Sequence, residues 1–275
     1  MIQVFTASAR SWTARPYRDE ELLAWEAARA RTGVRPVMSH ASYLINLAAP
    51  RPADRRKAMR ALAEELERCR RLAIPYLVLH PGAHMGAGEV AGVARIAAAI
   101  DRVFEGRPDD PTRLLLENTA GQGTCVGHRL EHLRDLLGAS RYPQRLGVCL
   151  DTQHLHAAGY ELASPAGWAA TLQALERTVG SQQVRAFHLN DSKRPRGARV
   201  DRHEHIGRGF LGLDPFRRLL AEPRFAQVPM ALETPKGKES REDLLNLGVL
   251  RALEWRARVG PRARALAAAP LPPAP

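Results

Sequence analysis

Short apolar runs alternate with longer amphipathic stretches along this chain, in a regular order. The runs near 2–5 (IQVF), 35–39, 76–80 (YLVLH), 113–117 (RLLLE), 146–151 (LGVCLD), 184–189 (VRAFHL) and 228–233 (VPMALE) are continuous rather than alternating. Strands buried on both faces read this way. Between them the spacing predicts helices over 19–31, 52–72, 89–105, 128–137, 165–179, 213–221 and 240–257. In the second of these, Met59, Leu62, Leu66 and Cys69 recur at helical spacing with charges opposite. Repeated strand–helix units with buried parallel strands mean an α/β fold, either a (β/α) barrel or a doubly wound sheet. Seven strands are visible, one short of a closed eight-stranded barrel. No linker or composition break interrupts residues 1–260, which are expected to form a single domain. The Pro- and Ala-rich segment 261–275 is expected to be a disordered tail.

The chain of 275 residues, 45% hydrophobic and 25% charged, has the composition of a globular protein that needs no staples. Its three cysteines show no CxxC spacing, which argues against a disulfide framework or a cysteine-built zinc module and points to a reducing cytoplasm. No apolar run is long enough to span a membrane, and the first residues lack the pattern of a signal peptide. Lys plus Arg number 41 against 29 Asp plus Glu, a net charge of +12. That excess points to a polyanionic partner, although arginine enrichment on solvated helices would also produce it.

Chemistry gathers at the strand ends. His40, His80, Glu117, Asp151, His188 and Glu233 each lie at or beside the C-terminal end of a different predicted strand. In a barrel those ends converge on one mouth. A lone histidine there is ordinarily a packing residue, but six imidazoles and carboxylates at equivalent positions are costly unless they hold metal. His154, three residues after Asp151, and the Asp201–His203 pair extend the set to five histidines and four acids. Zinc accepts such mixed N/O donors and manganese tolerates them. Nine donors exceed one tetrahedral ion and suit two or three. His128 and His132 are spaced i, i+4 but are expected on a solvated outer face. His84, His156 and His205 read as loop residues or supports of the ligands. The glycines of GRGFLG (Gly207, Gly209, Gly212) match a dinucleotide fingerprint without the preceding strand such a site requires, so no nucleotide site is expected there.

The blocks SHASYLIN (39–46), VLHPGAH (78–84), LENTAGQGTCVG (116–127), GVCLDTQHLHAAGY (147–160), FHLNDSK (187–193), RVDRHEHIGRG (199–209) and ALET (231–234) follow in order. Together they closely resemble endonuclease IV, a trinuclear-zinc family of apurinic/apyrimidinic (AP) endonucleases, over about residues 2 to 235. The resemblance implies a TIM barrel acting on double-stranded DNA with abasic sites or blocked 3′ ends. The family cuts the phosphodiester 5′ to an abasic site, leaving a 3′-hydroxyl and a 5′-deoxyribose phosphate, and trims 3′-blocking groups. It implies a first zinc on His40, His80 and Glu117, and a second on Glu117 as a bridge with Asp151, His188 and Glu233. A third zinc would lie on His154, Asp201 and His203. Glu117 would orient the nucleophile, with Mn2+ admissible at some of the sites. Gln153 stands where the family usually has Cys, and Leu155-His156 where it usually has Ala-Phe; none of these is a ligand.

For DNA, the resemblance matches Arg10, Tyr43 and Leu44 to side chains that wedge into the gap at the lesion. The loop SKRPRGARVDRH adds Lys193, Arg194, Arg196, Arg199 and Arg202, placed to contact a duplex backbone. Two other readings compete, a divalent-metal sugar isomerase or epimerase on the same barrel and a non-catalytic binder of abasic DNA. The donor trio His154, Asp201 and His203 and the basic charge speak against the first, and the complete ligand set against the second. Family members usually begin with one more strand, turn and helix, roughly 30 residues, ahead of the segment matching IQVFTASARSW. The expectation is therefore a truncated or mis-assigned start, with a natural seven-stranded barrel as the alternative. The protein would then be a monomer when complete and prone to dimerise through an open strand edge as it stands.

Overall fold

The computed structural model describes residues 1–237, 239–254 and 256–271. The chain divides into two compact units, Met1–Glu117 with Gly123–Cys149 and Asn118–Gln122 with Leu150–Pro275. The first unit contains β1 (Ile2–Val4), α1 (Asp19–Thr32), β2 (Val37–His40), α2 (Pro52–Arg71) and β3 (Tyr76–Leu79). It continues through β4 (Gly82–Ala83), α3 (Glu89–Glu105), β5 (Arg113–Glu117), β6 (Cys125–Val126), α4 (Leu130–Ala139) and most of β7 (Leu146–Asp151). Its main strands pair in parallel in the order β1-β2-β3-β5-β7, with His40 opposite Val78 and Glu117 opposite Cys149. β4 and β6 form a small antiparallel pair. Strands β2, β3, β5 and β7 are buried almost throughout, as their uninterrupted apolar character requires.

The second unit holds α5 (Thr152–Ala158), α6 (Pro165–Thr178), β8 (Val184–His188), β9 (Asp191–Ser192) and β10 (His203–Glu204), then α7 (Asp214–Leu220), β11 (Met230–Ala231), α8 (Arg241–Leu253) and α9 (Pro261–Ala268). β8 and β11 are parallel, while β9 and β10 pair antiparallel with His203 opposite Ser192. All seven strands expected from the apolar runs are present.

Three features go beyond what the sequence pattern shows. Residues 261–268 are not disordered: Pro261 starts α9, whose Ala263 and Ala267 are buried and which packs on α8. Alanine is the strongest helix former and proline suits a first turn, so the same composition that suggested a tail also winds a helix. Residues 272–275 of that expected tail lie outside the described residues. The helix α5 has no apolar period to reveal it. It is made by its caps, Asp151 accepting the His154 amide at 2.8 Å and Gly159 closing the end at φ 111°. Finally, α1 buries none of its residues; Trp25 Nε1 and Arg29 tie it to the Leu72 carbonyl at 2.9 and 3.1 Å.

The GRGFLG segment has a structural purpose. Its amides converge on the buried carboxylate of Asp191, which accepts from Gly207 N and Gly209 N at 3.0 Å, Leu211 N at 2.9 Å and Gly212 N at 3.2 Å. Ser192 N adds a fifth donor at 2.7 Å. The loop is a nest of the kind that binds anions, and its anion is internal. A Cβ on Gly209 would lie 2.3 Å from the Ser192 carbonyl oxygen and 2.4 Å from Asp191 Oδ1, closer than any side chain tolerates. Because Asp191 and Ser192 form β9, the nest fixes the strand that pairs with His203.

Gly209→Ala is therefore expected to destabilise the protein by at least ~1–3 kcal/mol through overpacking. Asp191→Ala, which strands several buried amides, should cost ~3 kcal/mol or more. Urea unfolding of both variants measures this, and a cost below about 0.5 kcal/mol for either would show that the nest does not hold the loop.

Candidate metal centre

In the first unit, His40 closes β2, His80 follows β3 and Glu117 closes β5. The parallel ladder brings their side chains together, with His40 Nε2 and His80 Nε2 each 3.1 Å from Glu117 Oε2. One ligand atom from each of the three lies within 4.8 Å of the others, and Glu117 is 0% exposed. His40 Nδ1 lies 2.8 Å from the Ala41 carbonyl, which can only accept a hydrogen bond, so that nitrogen carries the proton. In the neutral ring Nε2 then turns its lone pair toward the carboxylate. Two electron-rich groups facing each other in a buried site call for a positive charge between them.

The second unit repeats the arrangement. His154 Nδ1 donates to the Asn118 carbonyl at 2.9 Å and His203 Nδ1 donates to the Glu233 carbonyl at 3.0 Å. Their Nε2 atoms face the two oxygens of Asp201, each at 3.3 Å. Asp151 Oδ2 lies 3.7 Å from His203 Nε2, and ligand atoms of Asp151, His154 and His203 lie within 4.8 Å of one another. His188 Nδ1 is 3.2 Å from Glu233 Oε2 and 4.0 Å from Asp151 Oδ2. The structure thus gathers Asp151, His188 and Glu233 into one group and His154, Asp201 and His203 into another, with Asp151 within reach of both. Burial alone would lower the basicity of His203, but Asp151 and Asp201 outweigh it and push its pKa up to about 9. Burial would likewise raise the Asp201 pKa, yet the facing rings of His154 and His203 hold it well below the carboxylate range. A field that favours a proton so strongly favours a divalent cation in the same place. The donor set, five imidazoles and four carboxylates with ring protons fixed by backbone carbonyls, fits zinc.

Two asparagines missed by the sequence reading support these ligands. Asn118 accepts the Asp151 amide at 2.7 Å and returns a hydrogen bond to its carbonyl at 3.2 Å. Asn190 donates to Asp151 Oδ2 at 2.5 Å and accepts the Glu233 amide at 2.9 Å, so one side chain spans two ligands. Each follows a strand-end ligand closely in sequence (Glu117-Asn118, His188-Leu189-Asn190), which was the available signal. Gln153 donates to the Val200 carbonyl at 2.9 Å and steadies the approach to Asp201.

The remaining histidines stand apart from the clusters. The expectation that His128 and His132 occupy a solvated face is wrong. His132 is buried, and it lies 3.1 Å and His128 3.5 Å from Glu89 at the start of α3. The α4 start packs on α3 there, and the two rings stack edge to face. His84 Nδ1 accepts the Gly88 amide, Asn246 holds His205, and burial lowers the pKa of His156, which keeps its ring neutral.

Of the residues proposed for DNA, Arg10 and Tyr43 are exposed in the first unit, Tyr43 by 54%, and Leu44 is half-buried beside them. Lys193, Arg199 and Arg202 are exposed in the second unit, between β9 and β10. Arg196 in the same loop is already paired with Glu161 at 2.5 Å.

Residues 1–255 match the family model described as a xylose isomerase-like TIM barrel. A probable endonuclease 4 from Chloroflexus aurantiacus is 52% identical over 252 residues, covering 92% of this chain and 88% of the relative. The crystal structure of endonuclease IV from Thermus thermophilus superposes with a TM-score of 0.79 at 37% identity, covering 91% of this chain and 87% of that one. A D-tagatose 3-epimerase-like protein superposes with a TM-score of 0.67 at 17% identity, covering 86% and 83%, a likeness of fold alone. The fold is accordingly a TIM barrel, and the chain belongs to the endonuclease IV family.

Proposed function

We propose that this protein is a DNA-repair AP endonuclease that hydrolyses the phosphodiester 5′ to an abasic site, leaving a 3′-hydroxyl and a 5′-deoxyribose phosphate, and that trims blocked 3′ ends. The observation that carries this reading is the orientation of His40, His154 and His203. Each spends its Nδ1 proton on a backbone carbonyl and aims Nε2 at a carboxylate. Three zinc ions are proposed, on His40, His80 and Glu117, on Asp151, His188 and Glu233, and on His154, Asp201 and His203. Following the family pattern, Glu117 is given a second role as a bridging ligand.

Divalent ions held by these residues supply Lewis-acid polarisation of the phosphate and acidify water toward neutral pH. The protein's own contribution is position. Glu117, fully buried between two imidazoles, holds its carboxylate fixed in direction. Asn118 fixes the Asp151 backbone, and the His154 amide and Asn190 each donate to one of its carboxylate oxygens, so the group does not swing. Lys193, Arg199 and Arg202 offer phosphate contacts that carry affinity without sequence preference. Arg10, Tyr43 and Leu44 fill the gap at an abasic nucleotide, which is the cheapest nucleotide to extrude because it has no base to unstack. The net charge of +12 suits a polyanionic substrate rather than a neutral sugar.

Nicking of an oligonucleotide with a single tetrahydrofuran site tests the assignment, and ketose epimerisation without nicking would replace it by the sugar-enzyme reading. Glu117→Gln should fold normally and lower kcat by more than about a hundredfold. Activity within tenfold of wild type would remove Glu117 from the centre. Exhaustive chelation should abolish cleavage slowly, because the donors are buried, and zinc should restore it; cleavage by protein shown metal-free would defeat the mechanism.

Binding should weaken steeply with salt. Lys193→Ala and Arg199→Ala are each expected to flatten the slope of log affinity against log salt by about one. Arg196→Ala should change it less, since Glu161 already compensates that charge. Unchanged slopes in all three would mean that this loop does not meet the phosphates.

A further inference from the structure

Glu65 lies on the buried stripe of α2 with Ala58, Leu62, Leu66 and Cys69, where every other member is apolar. It is 5% exposed, and burial raises its pKa. No lysine or arginine makes an ion pair with it among the described residues; Arg68 acts on it only through the field. A carboxylate placed this way costs stability and needs a reason to stay. Its hydrogen bonds supply one. Glu65 Oε2 accepts the Thr6 hydroxyl at 2.5 Å, and the backbone N–H of Ser42 acts on the carboxylate to lower its pKa.

Those two partners begin the two loops that carry Arg10 and Tyr43–Leu44. From Thr6 the first loop runs to Ala9, whose carbonyl accepts the Ser42 hydroxyl at 2.9 Å and the Tyr43 amide at 3.1 Å. Ser42 Oγ in turn accepts the Leu44 amide at 3.3 Å. Tyr17 clamps the Thr6 carbonyl at 2.5 Å, and Arg68, one turn along α2, reaches the Ala14 carbonyl at 3.2 Å. The loops are thus stitched to each other at Ala9 and Ser42, and the pair is stitched to α2 where Thr6 meets the Glu65 carboxylate.

We propose that Glu65 is a positioning residue for damaged DNA, a buried latch that holds the Arg10 loop and the Tyr43–Leu44 loop in the mutual arrangement an abasic gap requires. It touches neither DNA nor metal. The inference rests on the reading that these loops enter the lesion.

The test uses Glu65→Met, which fills the site without an acceptor, Glu65→Gln, which keeps one acceptor oxygen, and Thr6→Val, which removes only the hydroxyl. All three should retain wild-type metal content, and Glu65→Met should melt no lower than wild type, since apolar replacement of a buried charge is neutral or stabilising. Amide hydrogen exchange should rise in residues 6–11 and 41–46 and not elsewhere. Affinity and KM for tetrahydrofuran DNA should worsen by about tenfold or more in Glu65→Met and by less in the other two. Affinity for intact duplex and kcat at saturating DNA should stay within about threefold of wild type. Unchanged abasic-site affinity with freed loops, or an equal loss for abasic and intact DNA, would overturn the proposal. A wild-type protein that binds no abasic DNA would instead defeat the functional reading, while the exchange data would still report whether the latch exists.

Discussion

Everything at the centre depends on where three imidazole protons go. Backbone carbonyls of Ala41, Asn118 and Glu233 take them from His40, His154 and His203, and each acceptor is set by the fold rather than by a mobile side chain. Reversing any one tautomer would place an N–H where a lone pair is needed and a lone pair against a carbonyl oxygen. Ala41 directly follows β2 and Asn118 directly follows β5, so the ends of these strands set where two of the carbonyls stand, while His203 is placed by the pairing of β10 with β9. The TIM-barrel framework is therefore an apparatus for choosing tautomers as much as for gathering ligands.

Much of this is legible in the sequence, for identifiable reasons. Buried parallel strands announce themselves by unbroken apolar runs, and ligands at their ends inherit a common position. His40, Glu117, Asp151 and His188 can therefore be placed from the apolar pattern alone. What the pattern hides depends on contacts distant in sequence or on caps. The helix α5 rests on Asp151 and Gly159 rather than on periodicity. The burial of His132 depends on α3 covering α4, which its own i, i+4 spacing with His128 does not reveal. Helix α9 resembles a tail in sequence because alanine and proline occur both in tails and in short capped helices.

Two other buried carboxylates show how the protein separates structure from chemistry. Asp191 is surrounded by amides and Glu65 faces a hydroxyl and an amide, with no imidazole hydrogen-bonded to either among the described residues. Donors that carry their own hydrogens neutralise an acid without inviting a cation. Glu117 and Asp201 stand opposite imidazole nitrogens instead, facing lone pairs that a metal ion would share. The distinction lies in the partners and not in depth, since Glu117, Asp151 and Asp191 are all fully enclosed.

The glycine nest around Asp191 has a thermodynamic consequence of its own. A loop built to cradle an anion ordinarily samples filled and empty states according to how much of that anion the surroundings contain. Here the anion is tethered to the strand that the loop must hold, so its effective concentration is fixed by covalent connectivity and does not fall on dilution. The segment behaves as a permanently saturated receptor, insensitive to the phosphates that crowd any nucleic-acid surface.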